Sequence, residues 1–271
     1  MAGPPGDTRG AGPRRDTRGI VNAPELFARV RFRRRLPAEP LRPFLEHYWL
    51  IDGHLDEPFT QHVVPHPSVN LVFQPTGGEL AGVALDLFSH TMRGEVRVCG
   101  VQFRPGGFRP FLPEHPVSRW TGRRVPFPEI AAHEIVGPSD EDDRVRALDA
   151  ALLDRDPRPD PLALEAMDLV QRIRTDRSIL RVADFAREQH TTVRSLQRLF
   201  NGYVGVSPKW VILRYRIHEA LERAQTDADW ARIAAELGYS DQAHLVRDFT
   251  QTIGVPPSAY ARTSAGGGAL E

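Results

Sequence analysis

A repeated pattern in the C-terminal half constrains this 271-residue chain more than any other feature. The segment LQRLFNGYVGVSP begins at Leu196, and LVRDFTQTIGVPP begins 49 positions later at Leu245. Upstream of these segments, Ala186 matches Ala234 at an offset of 48. The one-residue difference falls between two predicted helices, where a turn absorbs it. A repeat that survives such a shift predicts a structural unit that occurs twice.

Each copy of the repeat is predicted to be two helices joined by a short turn. In the first copy, ILRVADFAREQ and TVRSLQRLFNGY flank the turn HTT, where Thr191 or Thr192 caps the second helix. In the second copy, WARIAAELG ends at Gly238, which favours a left-handed C-terminal cap. Ser240 or Asp241 then caps DQAHLVRDFTQTI. Two helices joined by a turn of three or four residues are a helix-turn-helix.

The second helix of each copy has an apolar face and a polar face. The faces that we expect to be buried comprise Val193, Leu196, Leu199 and Phe200 in the first copy and Leu245, Phe249 and Ile253 in the second. The faces that we expect to contact DNA comprise Arg194, Gln197, Arg198 and Asn201 in the first copy and Gln242, Ala243, Val246 and Arg247 in the second. In the major groove, arginine contacts guanine, glutamine contacts adenine and valine contacts the thymine methyl group. A polar face is also typical of a helix that only meets solvent, but two matched copies favour DNA reading.

Between the two copies lies SPKWVILRYRIHEALERAQ, which predicts one long helix beginning at Pro208. Its apolar stripe comprises Trp210, Leu213, Ile217, Ala220 and Leu221. A helix of some 17 residues is about 25 Å long. It would hold two recognition helices roughly one DNA turn, about 34 Å, apart. The chain is therefore predicted to read two successive major grooves of double-stranded DNA.

The C-terminal 100 residues or so resemble the DNA-binding domain of the arabinose-regulator (AraC/XylS) transcription factors. Both units, the linker helix and the terminal pattern P-x-x-Y-x-R appear in order, in LQRLF, GVSPKWVILRYRIHEA, IAAELGYSDQAHLVRDF and GVPPSAYAR. The resemblance implies seven helices and a sequence-specific regulator of bacterial transcription. The base-contacting positions that it implies are Arg194, Gln197, Arg198, Gln242, Ala243, Val246 and Arg247. The sequence departs from the family at Ala243, where a longer polar residue is common, and at His190, where the first turn often has glycine.

The N-terminal half predicts a β-rich domain, so the expected fold class is α+β with two domains. ARVRFRRRL, HYWLI, SVNLVFQ and EVRVCGVQF have the composition of strands, separated by DGH, PHP, PTGG and RPGG, whereas FRPFLPEHPVSRW and VRALDAALLD look helical. A cupin-like barrel or a sandwich with trailing helices is expected. The predicted divisions are a disordered tail (1–20), this domain (21–153), a linker (154–161), the DNA-binding domain (162–263) and a flexible tail (264–271). The first helix of the DNA-binding domain is expected to bury Leu162, Ala166, Leu169, Val170 and Ile173.

PFTQHVVPHPSVNLVF and GVQFRPGGFRPFL are similar to a β-rich domain that precedes this type of DNA-binding domain in bacterial, often actinobacterial, regulators. In the wider family such a domain is often a cupin-like barrel that binds an effector or dimerises. The resemblance therefore leaves a small-molecule effector, a second copy of the chain and RNA polymerase open as partners. Dimerisation alone, without an effector, is a further alternative.

Four histidines in the N-terminal half raise the question of a metal site. His62 and His66 are four positions apart, but Pro65 interrupts the strand between them, and the H-x-H and glutamate spacing of a cupin metal site is absent. His54 and His90 lie further away in the sequence. Histidines in turns or in the core are the default interpretation, so we predict no metal and no cofactor.

RPGGFRPF, at 104–111, fits either an anion-binding nest or, as we favour, a turn in which glycines allow tight packing. Cys99 lies in an apolar strand and is expected to be a small buried residue. The alternative function is an enzyme or a repair domain fused to a DNA-binding domain. Such a repair domain needs a nucleophilic cysteine, and the chain has no Ser-His-Asp order, P-loop or H-E-x-x-H motif. We therefore predict no catalytic residue.

Composition sets the remaining limits. No run of about 18 or more apolar residues predicts a transmembrane helix, and the N-terminus lacks the apolar segment of a secretory signal. A single cysteine excludes an internal disulfide, and a cytoplasmic protein is expected. The formal net charge of zero argues by itself against a strongly basic nucleic-acid binder. Lys209 is the only lysine, and arginine suits both phosphate recognition and buried ion pairs.

Overall fold

A computed structural model describes residues 19–224 and 229–266. The N-terminal part contains α1 (Ala23–Arg29), β1 (Arg31–Arg35), β2 (Leu45–Val63), β3 (Asn70–Gln74), β4 (Gly77–Ala81), β5 (Phe88–Phe103), β6 (Arg124–Pro126), α2 (Ala132–Val136) and α3 (Glu141–Leu153). Short 3₁₀ helices lie at Glu39–Leu41, Arg109–Phe111 and Val117–Trp120. The C-terminal part contains α4 (Pro161–Thr175), α5 (Val182–Glu188), α6 (Val193–Tyr203), α7 (Pro208–Ala224), α8 (Trp230–Glu236), α9 (Gln242–Ile253) and α10 (Pro257–Gly266).

The six strands form one antiparallel sheet in the order β1-β2-β5-β3-β4-β6. On one face, Tyr48, Phe73 and Phe103 are fully buried in the largest apolar cluster, to which α2 and α3 contribute. On the other face, Leu26 of α1 packs with Val72. The structure thus has the predicted β-rich domain followed by a helical one, and its strands belong to one sheet. The cupin-like form of the domain stays a prediction.

One predicted strand break and one predicted helix are wrong, and a second break is shorter than predicted. The segment DGH lies inside β2, where Gly53 lies close to the end of α1: a Cβ there would lie 3.1 Å from Val30 Cγ1. The glycines of PTGG open β4, and a Cβ on Gly78 would lie 2.7 Å from the carbonyl oxygen of Phe127. The segment FRPFLPEHPVSRW forms two 3₁₀ helices instead of an α-helix, because its prolines interrupt the hydrogen-bond pattern.

The ends of the predicted segments also differ from the structure. The predicted tail extended to residue 20, yet Ile20 forms a β-bridge with Val63. Residues 1–18 lie outside the described part of the chain. The predicted linker ended at Pro161, which is instead the first residue of α4, where the Asp160 side chain accepts a hydrogen bond from the Leu162 amide. The helix α10 continues to residue 266, past the predicted start of the flexible tail at 264, and 267–271 are outside the described residues.

A buried charge network joins the sheet to α3. Arg144, only 3% exposed, donates hydrogen bonds of 2.8 and 3.0 Å to the carboxylate of Asp52, which also pairs with Arg33. Burial acts to raise the pKa of Asp52, but the hydrogen bonds from Arg144 and Arg33 outweigh it and hold the pKa below its ordinary value. Beside this network, Cys99 is fully buried, and burial raises the pKa of its thiol to about 11. The prediction that Cys99 is a small buried residue is confirmed.

Each half of the DNA-binding domain has its own apolar cluster, and both clusters include residues of the N-terminal domain. Val83 packs with α4–α7, whereas Val21 and Val64 pack with α7–α9. On α4 the predicted inward residue Leu162 is exposed, and Ala163 is buried instead, because the apolar stripe begins one residue later than expected. Among the residues that the structure describes, no helix has the length and hydropathy needed to span a membrane.

Candidate nucleic-acid interface

The two helix-turn-helix units repeat each other down to single backbone hydrogen bonds. In the first unit, the Ala186 carbonyl accepts a 3.0 Å bond from the Thr191 amide. In the second unit, the Ala234 carbonyl accepts a 2.9 Å bond from the Tyr239 amide, which is the same pairing 48 residues later. The predicted repeat and its helix-turn-helix form are confirmed.

The turns place a left-handed residue at the same position of each unit. His190 has φ of 52° and Gly238 has φ of 72°. A histidine there bears a conformational cost of roughly 1–2 kcal/mol that glycine avoids. The second turn has one residue more, since α5 and α6 are separated by residues 189–192 but α8 and α9 by residues 237–241. The turn therefore absorbs the change in offset, as predicted.

Side-chain caps fix the start of both second helices. The Thr192 hydroxyl accepts a hydrogen bond of 3.1 Å from the Ser195 amide. The Asp241 carboxylate accepts one of 2.7 Å from the His244 amide, and this bond lowers the pKa of Asp241. Of the two candidates in each turn, the residue immediately before the helix is the cap. Capping of this kind contributes about 1 kcal/mol to a helix, so both second helices begin at defined residues.

The second helix of each unit is the predicted recognition helix, and we call α6 the first reading helix and α9 the second. The first reading helix exposes its predicted polar face. Arg194, Gln197, Arg198 and Asn201 are all exposed. Leu196, Phe200 and Tyr203 are buried on the opposite face, and Leu199 is half-buried. Val193, predicted to be buried, is 36% exposed. It is the first residue after the cap, and the buried face of α6 begins only at Leu196.

The second reading helix, α9, buries Leu245, Phe249 and Ile253 as predicted. Gln242, Ala243 and Arg247 are exposed, and Val246 is half-buried between them and the core. The face of α9 is thus shorter and less basic than that of α6. For both helices, the contacts with individual bases stay predictions.

The linker helix α7 has the 17 residues expected of it, but its environment differs from the prediction. Ile217, Ala220 and Leu221 are buried, whereas Trp210 and Leu213 are only half-buried. No sequence pattern indicated that two polar residues of this helix, Arg214 and His218, would be buried at 5% exposure each.

Arg214 and His218 face the N-terminal domain. Arg214 donates a 2.6 Å hydrogen bond to the Leu85 carbonyl, and burial lowers its pKa to about 10. His218 Nε2 lies 3.1 Å from the Pro65 carbonyl oxygen, and the ring stacks on His66 at 4.1 Å between centroids. The linker helix is therefore held by backbone groups more than 120 residues away in the sequence.

The C-terminal end of α6 is also held by the N-terminal domain. The Thr121 hydroxyl donates a 2.6 Å hydrogen bond to the Gly205 carbonyl. Arg109 Nη1 lies 3.5 Å from the Gly202 carbonyl oxygen, and the guanidinium sits 4.4 Å from the ring centroid of Tyr203. A cation and hydroxyl donors at this end suit the partial negative charge of a helix C-terminus.

The segment RPGGFRPF forms the packing turn that we favoured over an anion nest. The Gly107 amide donates to the Arg104 carbonyl at 2.8 Å, and a Cβ on Gly107 would overlap the Phe44 carbonyl. Gly106, at φ of 94°, lies against Met167 of α4. The glycines thus allow the turn to pack between the sheet and the helical domain.

The four histidines that were considered as metal ligands are not brought together. His54 pairs with Glu95 and His62 with Ser89, while His90 stacks on Phe88 and His66 on His218. Within residues 19–224 and 229–266, no group of three or more histidine, cysteine or acidic side chains is arranged to hold a metal ion.

Comparison with protein families agrees with this geometry. Residues 185–263 match a helix-turn-helix domain. The chain carries an AraC-type DNA-binding domain. It is a DNA-binding transcription regulator. Residues 33–126, ahead of the AraC-type domain, match a domain of unknown function (DUF6597) that covers most of the sheet.

Solved structures similar to the chain include AraC-type domains and a longer protein. The C-terminal domain of AraT, a response regulator from Geobacillus stearothermophilus, is 25% identical over 39% of this chain and 88% of that one, with a TM-score of 0.36. An AraC-type regulator from Chromobacterium violaceum is 22% identical over 37% and 91%, with a TM-score of 0.34. ToxT from Vibrio cholerae is 12% identical over 86% and 97%, with a TM-score of 0.42. A search of curated proteins finds no significant match.

Proposed function

We propose that the protein regulates transcription by binding a two-part DNA site, with α6 and α9 in successive major grooves. The observation that carries this proposal is the pair of exposed second helices, which belong to units with the same backbone hydrogen bonds and stand on either side of α7. In a helix-turn-helix, this second helix is the one that enters the major groove. A linker helix of 17 residues is about 25 Å long, and with one unit at each end it suits recognition helices about 34 Å, one DNA turn, apart.

The two helices should contribute unequally to specificity. On α6, Arg194 and Arg198 are exposed and suit guanine, and Gln197 suits adenine. On α9, Arg247 is the one exposed arginine of the predicted reading face, and its neighbours Ala243 and Val246 offer only apolar contact. Each bidentate contact discriminates by about 1–3 kcal/mol. The element read by α6 should therefore be the more strictly specified of the two.

The N-terminal domain is proposed to control the reading helices. Support comes from its bonds to the end of α6 and to the linker helix: Thr121 binds Gly205 just after α6, and the Leu85 carbonyl binds Arg214 of α7. A ligand or a second subunit that shifts these segments would act on the spacing of α6 and α9 directly. A homodimer and a contact with RNA polymerase stay predictions from the family resemblance.

A candidate place for an effector is the sheet face that carries α1. There Trp49 lies over Gly100, and its indole Nε1 is 3.4 Å from Asn70 Oδ1. Gln102 pairs with Asn70 and His47 across neighbouring strands, and all four side chains are half-buried. An aromatic ring beside amide and imidazole groups is the usual composition of a small-molecule site.

The alternative of a fused repair enzyme has less support. Its acceptor would have to be a nucleophilic thiolate, and nucleophilic cysteines are exposed and have lowered pKa values. Cys99 is fully buried, and its pKa is raised to about 11. Regulation is therefore the function that the geometry supports best.

The proposal is tested by incubating the full-length protein with a library of genomic DNA and sequencing what it retains. A motif of two elements about 10 base pairs apart is expected. Arg198→Ala should relax one base of one element and Arg247→Ala one base of the other, while Arg172→Ala, on the exposed side of α4, should change neither. A one-element motif would contradict the role of α9, and no enrichment would contradict DNA reading altogether.

A further inference from the structure

The N-terminal domain touches the first reading helix just beyond its C-terminal end, where Tyr203, Val204 and Gly205 are buried. Thr121 follows the 3₁₀ helix Val117–Trp120 and bonds to Gly205, just beyond the last residue of α6. Val117 also lies within van der Waals reach of the position that a Cβ on Gly205 would take. The segment around Thr121 therefore lies at the C-terminal end of the helix that is proposed to enter the major groove.

This segment is strongly basic in a chain whose formal net charge is zero. Residues 104–124 contain five arginines and one acidic residue, Glu114. Three of the arginines have structural partners: Arg104 bonds to the Arg42 carbonyl, Arg109 packs on Tyr203, and Arg124 pairs with Glu79.

The other two arginines, Arg119 and Arg123, are exposed and have no ion-pair partner among the residues that the structure describes. Each is two positions from Thr121, so its Cα lies within about 7 Å of that residue. Fold stability gives no reason for two unpaired positive charges at this place. Electrostatics gives one, because a neutral protein that binds DNA must concentrate its positive charge where the phosphates are.

We propose that Arg119 and Arg123 bind DNA phosphates beside the element that α6 reads, so that the N-terminal domain forms part of the DNA interface. The major groove is about 12 Å wide and is bordered by phosphates on both sides, and side chains next to the end of an inserted helix face that border. The inference rests on the proposed function, because it needs α6 to enter the groove.

Phosphate contacts have a recognisable effect on binding. They add affinity for every sequence and leave base preference unchanged. Each one makes the slope of log K against log salt more negative by about 0.9. Two contacts therefore account for a slope of about 1.8, which corresponds to roughly a twentyfold gain in affinity at 0.2 M salt relative to 1 M salt.

The test compares the full-length protein with the double variant Arg119→Gln/Arg123→Gln on an operator duplex and on a scrambled duplex, at several salt concentrations. The variant should bind both duplexes about twentyfold more weakly near 0.2 M salt, and its salt slope should be less steep by about 1.8. Arg119→Lys/Arg123→Lys keeps the charges and should restore most of the affinity. Arg93→Gln removes an exposed arginine of β5, beside Met92 of the cluster that α1 joins, and should bind like the parent.

The outcomes separate the inference from the proposed function. If the parent binds its operator and the Gln variant shows the same affinity and slope, the inference is wrong and the regulator remains. Loss of base preference in the Gln variant would also overturn it, because it would mean a disturbed α6 in place of lost phosphate contacts. If the parent prefers no sequence at all, the proposed function itself fails. Equal urea midpoints of parent and variants exclude unfolding as the cause.

Discussion

Two glycines at equivalent positions of the repeat allow the contact between the domains to be measured against an internal control. Gly205 has φ of 93° and Gly254 has φ of 87°. A Cβ on Gly205 would lie 3.0 Å from both Thr121 Oγ1 and Val117 Cγ1, whereas one on Gly254 would have nothing within 4 Å. Substituting alanine at 254 therefore tests the backbone alone, and alanine at 205 tests the backbone and the N-terminal domain together.

The expected costs follow from these surroundings. An L residue in the left-handed region costs about 1–2 kcal/mol, and this is the whole effect expected of Gly254→Ala. In Gly205→Ala the new methyl group displaces Thr121, whose 2.6 Å hydrogen bond to the Gly205 carbonyl is lost or weakened. A hydrogen bond of this kind contributes about 1 kcal/mol. Crowding of Val117 adds about another 1 kcal/mol, so Gly205→Ala should cost about 3–4 kcal/mol in total.

Urea unfolding of the full-length protein, followed by tryptophan fluorescence and far-ultraviolet circular dichroism, gives both free energies of unfolding. Trp120 reports on the contact with Gly205, because it precedes Thr121 in the chain. In a Thr121→Ala background, the excess cost of Gly205→Ala should fall by about 1 kcal/mol, since the hydrogen bond is already gone. Equal costs at 205 and 254, or an excess unaffected by Thr121→Ala, would refute the proposed packing of the domains.

Three further predictions concern the reading helices and the charge network. Arg198→Ala and Arg247→Ala should each reduce discrimination at one base position by about 1–3 kcal/mol; unchanged base preference in a binding assay would contradict the assignment of that helix. Asp52→Asn should destabilise the fold by about 3–5 kcal/mol in urea, because it leaves the buried charge of Arg144 without its main partner, and a loss below 1 kcal/mol would contradict this. The pKa of Asp52 is lowered in the fold, so the contribution of its carboxylate to stability is complete above the ordinary pKa of 3.8 and is lost as pH falls through the pKa of the folded state. Below about pH 4 the variant should therefore lose less stability on further acidification than the parent. Cys99 should resist alkylation at pH 8 in the native protein and react in urea; rapid native labelling would show that the thiol is exposed.

Much of the DNA-binding domain could be predicted from local sequence. Spacing of apolar residues located the helices, and Thr192 and Asp241 were among the candidate caps. Gly238 does adopt the left-handed conformation expected at the end of α8. These features depend on residues within a few positions of one another, and for that reason a sequence pattern contains them.

The N-terminal domain and its contacts were harder to predict, because the ends of its strands and the burial of polar residues against it depend on neighbours that are distant in sequence. Gly53 looked like part of a turn, but it lies inside β2, where Val30 approaches it closely. Arg214 and His218 looked like the polar side of a helix, but carbonyl groups of Leu85 and Pro65 make their burial tolerable.

By itself, the sequence determined that this protein has two helix-turn-helix units and most of the residues that their second helices expose. The tertiary structure alone decided how those units are held: Thr121 reaches Gly205 across 84 positions, and Arg214 reaches Leu85 across 129. The physical reason is the distance along the chain over which each kind of interaction acts. Helix periodicity, caps and left-handed turns act over four or five residues, whereas a buried polar side chain is stable only if the whole chain folds to bring it a partner.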